Sequence, residues 1–217
     1  MQFNFESEQA DFQIDRLVIA GWTGRNMEAV QEHIDELAEL GIAPPSTVPL
    51  FYQVGAQMLT TNPGIDVLSA GTSGEVEPLL VKRDGQFWLG LGSDHTDRDL
   101  EAFSVAHSKQ VCPKTVSDSL WAWKEVEDHL DAIELRSWID EGQGWTLYQE
   151  GTLASIRPLQ ELIDKADLAD NSAMLCGTLP AIGGVRRTPK LKLQMHDPIK
   201  QRSIEFEYAA KELAVIK

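Results

Sequence analysis

Cysteine is scarce in this 217-residue chain: Cys112 and Cys176 stand far apart and in no Cys-x-x-Cys spacing. That argues against a disulfide framework and against a zinc–thiolate site. Positive charge is also short. Nineteen Lys and Arg face 34 Asp and Glu, for a formal charge of −15. A surface of that sign repels phosphate backbones and anionic headgroups, so neither nucleic acid nor a membrane is the expected partner. No run approaches the ~20 apolar residues of a membrane-spanning helix. Met1 to Glu6 show neither the basic segment nor the apolar core of a secretory signal, and the expected compartment is the cytoplasm. Repeats, linkers and low-complexity tracts are missing. Gly177 to Gly184 is rich in glycine, but it lacks the strand–Gly-x-Gly-x-x-Gly–helix context and the lysine of a phosphate loop. A nucleotide cradle is therefore unsupported.

What remains is 42% hydrophobic, enough for the core of a single domain over residues 1–217. Strand signals dominate. They fall at Phe3–Glu6, Leu17–Gly21, Leu50–Val54, Asp66–Ala70, Trp121–Trp123, Ile133–Ile139, Trp145–Tyr148, Ala173–Cys176, Lys190–Met195 and Ile204–Tyr208. Three helices are expected. One is capped by Asn26 and stopped by Gly41, one runs from Asp97 to about Ala106 behind Thr96, and one follows Pro158. The fold class is thus α+β and strand-rich. Residues 1–50 supply strands and a helix, residues 51–184 the central part, and residues 185–217 a closing hairpin.

The most informative stretch runs from Ser73 to Lys109. Two apolar runs meet at Asp84-Gly85, a dipeptide suited to a two-residue turn with positive φ at both positions. That turn sets the register: Val81 opposite Trp88, Leu79 opposite Gly90, Glu77 opposite Gly92 and Glu75 opposite Asp94. Side chains alternate along a strand, so Glu75, Glu77, Leu79 and Val81 share one face. If Leu79 and Val81 mark the core, two carboxylates point inward and Asp94 faces them. Buried, unpaired carboxylates are costly, and a hard divalent cation would relieve the repulsion. Gly90 and Gly92, on the same face, would leave room for an ion or ligand. The competing reading turns Val76, Pro78 and Leu80 inward and both glutamates to solvent. His95 would lie on the opposite strand face from Asp94, and His107 would pack against the helix that Leu100 and Phe103 make apolar.

Four blocks, in this order, resemble the fumarylacetoacetate hydrolase superfamily. Gly74-Glu75-Val76-Glu77 is similar to its Glu-x-Glu metal strand. Asp94-His95-Thr96-Asp97-Arg98-Asp99 is similar to its Asp-x-x-x-Arg-Asp block. Lys109, opening a loop with Cys112-Pro113, resembles the active-site lysine. Gly177-Thr178-Leu179-Pro180 with Gly183-Gly184 resembles the loop that closes over substrate. The match covers roughly Phe51 to Gly184. Two departures stand out. The His and Glu that many members carry before the metal strand are missing from Phe51 to Met58, and Glu101 stands where many have Gln.

The resemblance implies a mixed β-roll or barrel with a few short helices and a homodimer. It implies Glu75, Glu77 and Asp94 as metal ligands, with Lys109 and Arg98 at the reacting centre. Gly177, Thr178, Tyr52 and Glu101 would lie near the substrate. Three carboxylates without clustered His or Cys favour Mg²⁺, with Mn²⁺ or Ca²⁺ as alternatives. The expected substrate is a small anion, a 2-oxo or 1,3-dicarbonyl carboxylate. The expected reaction is C–C hydrolysis, decarboxylation, hydration or keto–enol isomerisation through an enolate. The alternative is a non-catalytic metal- or ligand-binding module, or a complex subunit, on the same fold.

Overall fold

The computed structural model describes residues 1–5, 8–39 and 44–216, with the backbone alone for His33 and Leu37. Gly41, the expected helix stop, and Glu6, the expected strand end, lie outside the described residues. Two sheets pack face to face. The larger one follows the order Glu8–Asp11, Gln2–Phe5, Ser119–Ala122, Gln86–Ser93, Val76–Arg83, Ser172–Leu175, Arg16–Gly21 and Leu50–Val54. The short strand Lys114–Val116 joins it by pairing with Gln86–Ser93 on one side and Leu59–Thr60 on the other. The smaller sheet runs Trp145–Thr152, Glu134–Asp140, Lys190–Asp197, Arg202–Leu213 and Gly64–Leu68. Parallel and antiparallel pairs mix in both.

The central hairpin has the expected register. Asp84 and Gly85 both have positive φ, at 51° and 73°. Val81 pairs with Trp88, Leu79 with Gly90 and Glu77 with Gly92. The amide of Asp94 donates to the carbonyl of Glu75 at 3.2 Å, which carries the pairing one step past the strand end.

The hairpin is buried on both faces, so neither strand face is the solvent side. Val76, Leu80, Leu89 and Leu91 pack between the sheets against Leu135, Leu191, Leu193 and Met195. Leu79 and Val81 pack on the other side with Phe3, Phe5, Leu17, Ile19, Leu120 and Leu175. Phe3 and Phe5 come from one end of the large sheet and Val54 from the other, so the sheet curls around this second core. Burial of this kind stabilises by about 25 cal/mol per Å² of apolar surface, and a hairpin covered twice gains it on both faces. The curl corrects one expectation. Gly90 and Gly92 leave no space for an ion, because Leu120 and Leu175 fill it. A Cβ built at Gly92 would lie 2.6 Å from Leu175 and 2.9 Å from Val116.

The segment after Asp94 also differs from expectation. It forms two short helices, Arg98–Glu101 and Val105–Gln110, rather than one. Asp97, not Thr96, caps the first by accepting from the Leu100 amide at 3.0 Å. Ser104 caps the second. Lys109 therefore sits inside a helix instead of opening a loop. Phe103, at the break, is 83% exposed, and His107 is exposed rather than packed. Trp123 begins the helix Trp123–Val126 instead of ending a strand. Other strand ends move by a few residues, as at Gly64–Leu68 and Arg202–Leu213. Among the described residues no helix is long and apolar enough to cross a membrane.

Gly92→Ala should destabilise the protein by about 1–3 kcal/mol through overpacking. Urea denaturation of the variant measures this, and an unchanged midpoint would show that the space at Gly92 is open.

Candidate metal centre

The mouth of the hairpin gathers the acids. One carboxylate oxygen from each of Glu75, Glu77 and Asp94 lies within 4.8 Å of the other two. Oxygens ligating one ion at 2.0–2.6 Å can be at most about 4–5 Å apart, so the spacing suits a shared hard cation. Glu77 and Asp94 are buried, while the Glu75 side chain keeps 18% of its surface. The local cause is the register: Glu77 is inside the strand, and Glu75 and Asp94 are at its frayed end.

Each acid has its own support. The Gly177 amide donates to Glu77 Oε2 at 2.8 Å. Only glycine serves there, since φ is +102° and a Cβ would lie 1.7 Å from Thr23 Oγ1. Arg98 pairs with Glu75 at 2.9 Å and with Glu101 at 2.7 Å, and its Nε donates to Ser73 Oγ at 2.6 Å. Asp94 is held by two lysines: Lys109 Nζ donates to Oδ2, and Lys114 Nζ stands 2.8 Å from Oδ1. Oδ1 is buried, and Lys114 meets it as an ion pair.

The electrostatics follow from burial and these pairings. Burial pushes the Glu77 carboxyl well above the usual range, and the charges of Asp94 and Glu75 push the same way. Burial alone would raise Asp94 too, but Lys109 and Lys114 outweigh it and hold it below the ordinary value. Lys109 is the converse: burial favours loss of its proton, and Asp94, Glu75 and Glu77 together overcome that. Lys114 is lowered, chiefly by burial. The donor set and its spacing fit a divalent cation of the oxygen-seeking kind.

His95 turns away from this cluster, as the strand alternation requires. Its ring contacts the Tyr208 hydroxyl at 2.8 Å and Thr72 Oγ1 at 2.9 Å, while Ser93 Oγ shares the same tyrosine oxygen at 2.8 Å. Burial first, then the charge of Lys114, depresses its pKa to about 3.

The remaining expected residues take these places. Tyr52 lies half-buried on Leu50–Val54, with Lys109 Nζ 5.8 Å from its ring centroid and its hydroxyl accepting from Trp22 Nε1 at 3.3 Å. Thr178 Oγ1 donates to the Val76 carbonyl and accepts from Gln149 Nε2, both at 2.8 Å. Gly177 and Thr178 thus meet the strand that carries Glu77 from within the protein. Lys114 was missed altogether. Its signal is faint: a β-branched pair, Thr115-Val116, after Pro113 hints at a short strand, but nothing local reveals its partner.

Solved structures share this architecture. 2-Keto-3-deoxy-D-arabinonate dehydratase complexed with magnesium and 2,5-dioxopentanoate superposes with a TM-score of 0.65 at 13% identity, covering 94% of this chain and 75% of that one. Cg1458 superposes with a TM-score of 0.61 at 12% identity, covering 95% and 78%. At such identities the likeness is one of fold: strand-rich α+β, of the fumarylacetoacetate hydrolase type. The chain itself belongs to the family described as protein of unknown function (DUF2848), whose match spans residues 20–208. No curated protein matches it.

A histidine held neutral by the fold loses stability on acidification. The unfolded chain binds the proton at ~6.5 and the folded one only near 3, so stability rises with pH between those values. Wild type should lose about 2 kcal/mol more than His95→Gln between pH 7 and pH 5, read from urea midpoints. Parallel pH profiles would contradict the assignment.

Proposed function

We propose that the chain is a divalent-metal-dependent enzyme of the fumarylacetoacetate hydrolase superfamily acting on a small 2-oxo or 1,3-dicarbonyl carboxylate. The observation that carries this reading is the convergence of Glu75, Glu77 and Asp94 within 4.8 Å beside Lys109. These three carboxylates would hold Mg²⁺, or alternatively Mn²⁺ or Ca²⁺. When bound, the ion supplies Lewis-acid polarisation of a carbonyl and a counter-charge for an enolate. The magnesium-bound dehydratase of a 2-keto acid among the structural neighbours supports the same chemical class.

The residues of the chain divide the remaining work. Lys109, paired with Asp94, sets a cation beside the three carboxylates for a substrate carboxylate or oxyanion. Tyr52 lies against Lys109 and walls the same side. Arg98 and Glu101 fix Glu75, and Gly177 and Thr178 fix the strand that carries Glu77. With His95 neutral and turned inward and no His in Phe51 to Met58, water activation is weakly served. That favours keto–enol isomerisation over C–C hydrolysis, which needs an activated water nucleophile. We also infer a homodimer, which sedimentation analysis tests directly.

A panel of 2-oxo and 1,3-dicarbonyl acids with Mg²⁺ should show turnover on at least one member. Glu77→Gln should lower it more than ~100-fold, and chelation should abolish it. Tight Mg²⁺ binding with no turnover on any acid would favour a non-catalytic binding module.

A further inference from the structure

Lys114 is a second cation on the same carboxylate, and its position follows from pairing. Thr115 lies opposite Ser93 in an antiparallel ladder, which brings Lys114 beside Asp94. The side chain is fully buried, its Nζ donates to the His95 carbonyl, and it stands 2.8 Å from Asp94 Oδ1. Lys109 already occupies Oδ2. With a cation bound and Glu77 ionised by it, four acids, Glu75, Glu77, Asp94 and Glu101, face three bases, Arg98, Lys109 and Lys114. One negative charge is left over.

Adding a dication to that enclosure makes it positive. Burial magnifies the imbalance, because solvent screens it poorly. An anion arriving with the cation removes it. Without Lys114 the enclosure would hold two negative charges and a dication alone would balance it.

We propose that Lys114 is a positioning and charge-setting residue that makes binding of the divalent cation depend on a co-bound anionic oxo-acid. It acts through Asp94 and touches neither ligand. The site is thereby tuned to assemble as a cation–anion pair and to hold the bare cation weakly. This inference rests on the reading of the three carboxylates as a divalent-cation site.

Calorimetric titration of the metal-free protein with Mg²⁺ tests it, alone, with oxalate, and with oxamide, a neutral molecule of the same shape. In wild type, oxalate should tighten Mg²⁺ binding about tenfold or more, within the range usual for coupled sites, and oxamide should not. Lys114→Gln, which keeps an N–H donor for the His95 carbonyl, and Lys114→Met should bind Mg²⁺ alone several-fold more tightly. Loaded with Mg²⁺, both should bind oxalate several-fold more weakly. A merely structural lysine would weaken both ligands together. That result, or no change in either affinity, overturns the proposal, as does an oxamide effect equal to that of oxalate. Should neither variant fold, a wild type whose Mg²⁺ affinity oxalate leaves unchanged overturns the proposal. No Mg²⁺ binding under any condition would remove the cation site itself, whereas tight binding that ignores oxalate would remove only the role of Lys114.

Discussion

A carboxylate with no access to water is the constraint around which this protein is arranged. Asp94 is fully buried, and an isolated charge there would be driven to neutralise. Two ammonium groups prevent it, one on each oxygen. Each must be delivered by a different element: Lys109 by a capped helical turn, and Lys114 by a three-residue strand inserted between two others. Removing either partner would leave a buried charge exposed to its neighbours Glu77 and Glu75. The short strand and the second capped helix deliver that pairing.

The hairpin that carries the acids can tolerate them because of how it is buried. One face completes the interface between the sheets and the other lines the curled large sheet. Apolar burial on both faces supplies the stabilisation against which three clustered acids weigh. The acids sit where the ladder frays, at Val76 and Ser93, and there backbone and side-chain donors can reach them. Gly177 illustrates the tight tolerance: its left-handed backbone puts an amide on Glu77 in a space that a methyl group could not share with Thr23.

Fold likeness and site chemistry carry different weights. The dehydratase and Cg1458 share the architecture at 13% and 12% identity, which speaks to topology. The chemistry rests on this chain's own side chains: an acid triad with cations built into it and a neutral histidine locked behind it. Arg98 acts through two acids at once, and its rigid planar fork suits that better than a lysine would.

From sequence alone, local rules determined a good deal. Asp84-Gly85 set the turn, the turn set the register, and a period of two put Glu75 and Glu77 together with Asp94 across from them. His95 was correctly placed on the other face by the same alternation. Only the tertiary structure decided what fills the space beside those acids. Gly90 and Gly92 read as room for a ligand, yet leucines from strands far along the chain occupy it. The first helix breaks at Ala102–Phe103 and Ser104 caps a second, which places Lys109 inward and Phe103 outward. Lys114 reaches Asp94 through a three-residue strand pairing that no local pattern announces. Turns and alternation are contained in neighbouring residues, whereas the filling of a cavity and the neutralisation of a buried charge depend on segments that meet only when the chain has folded.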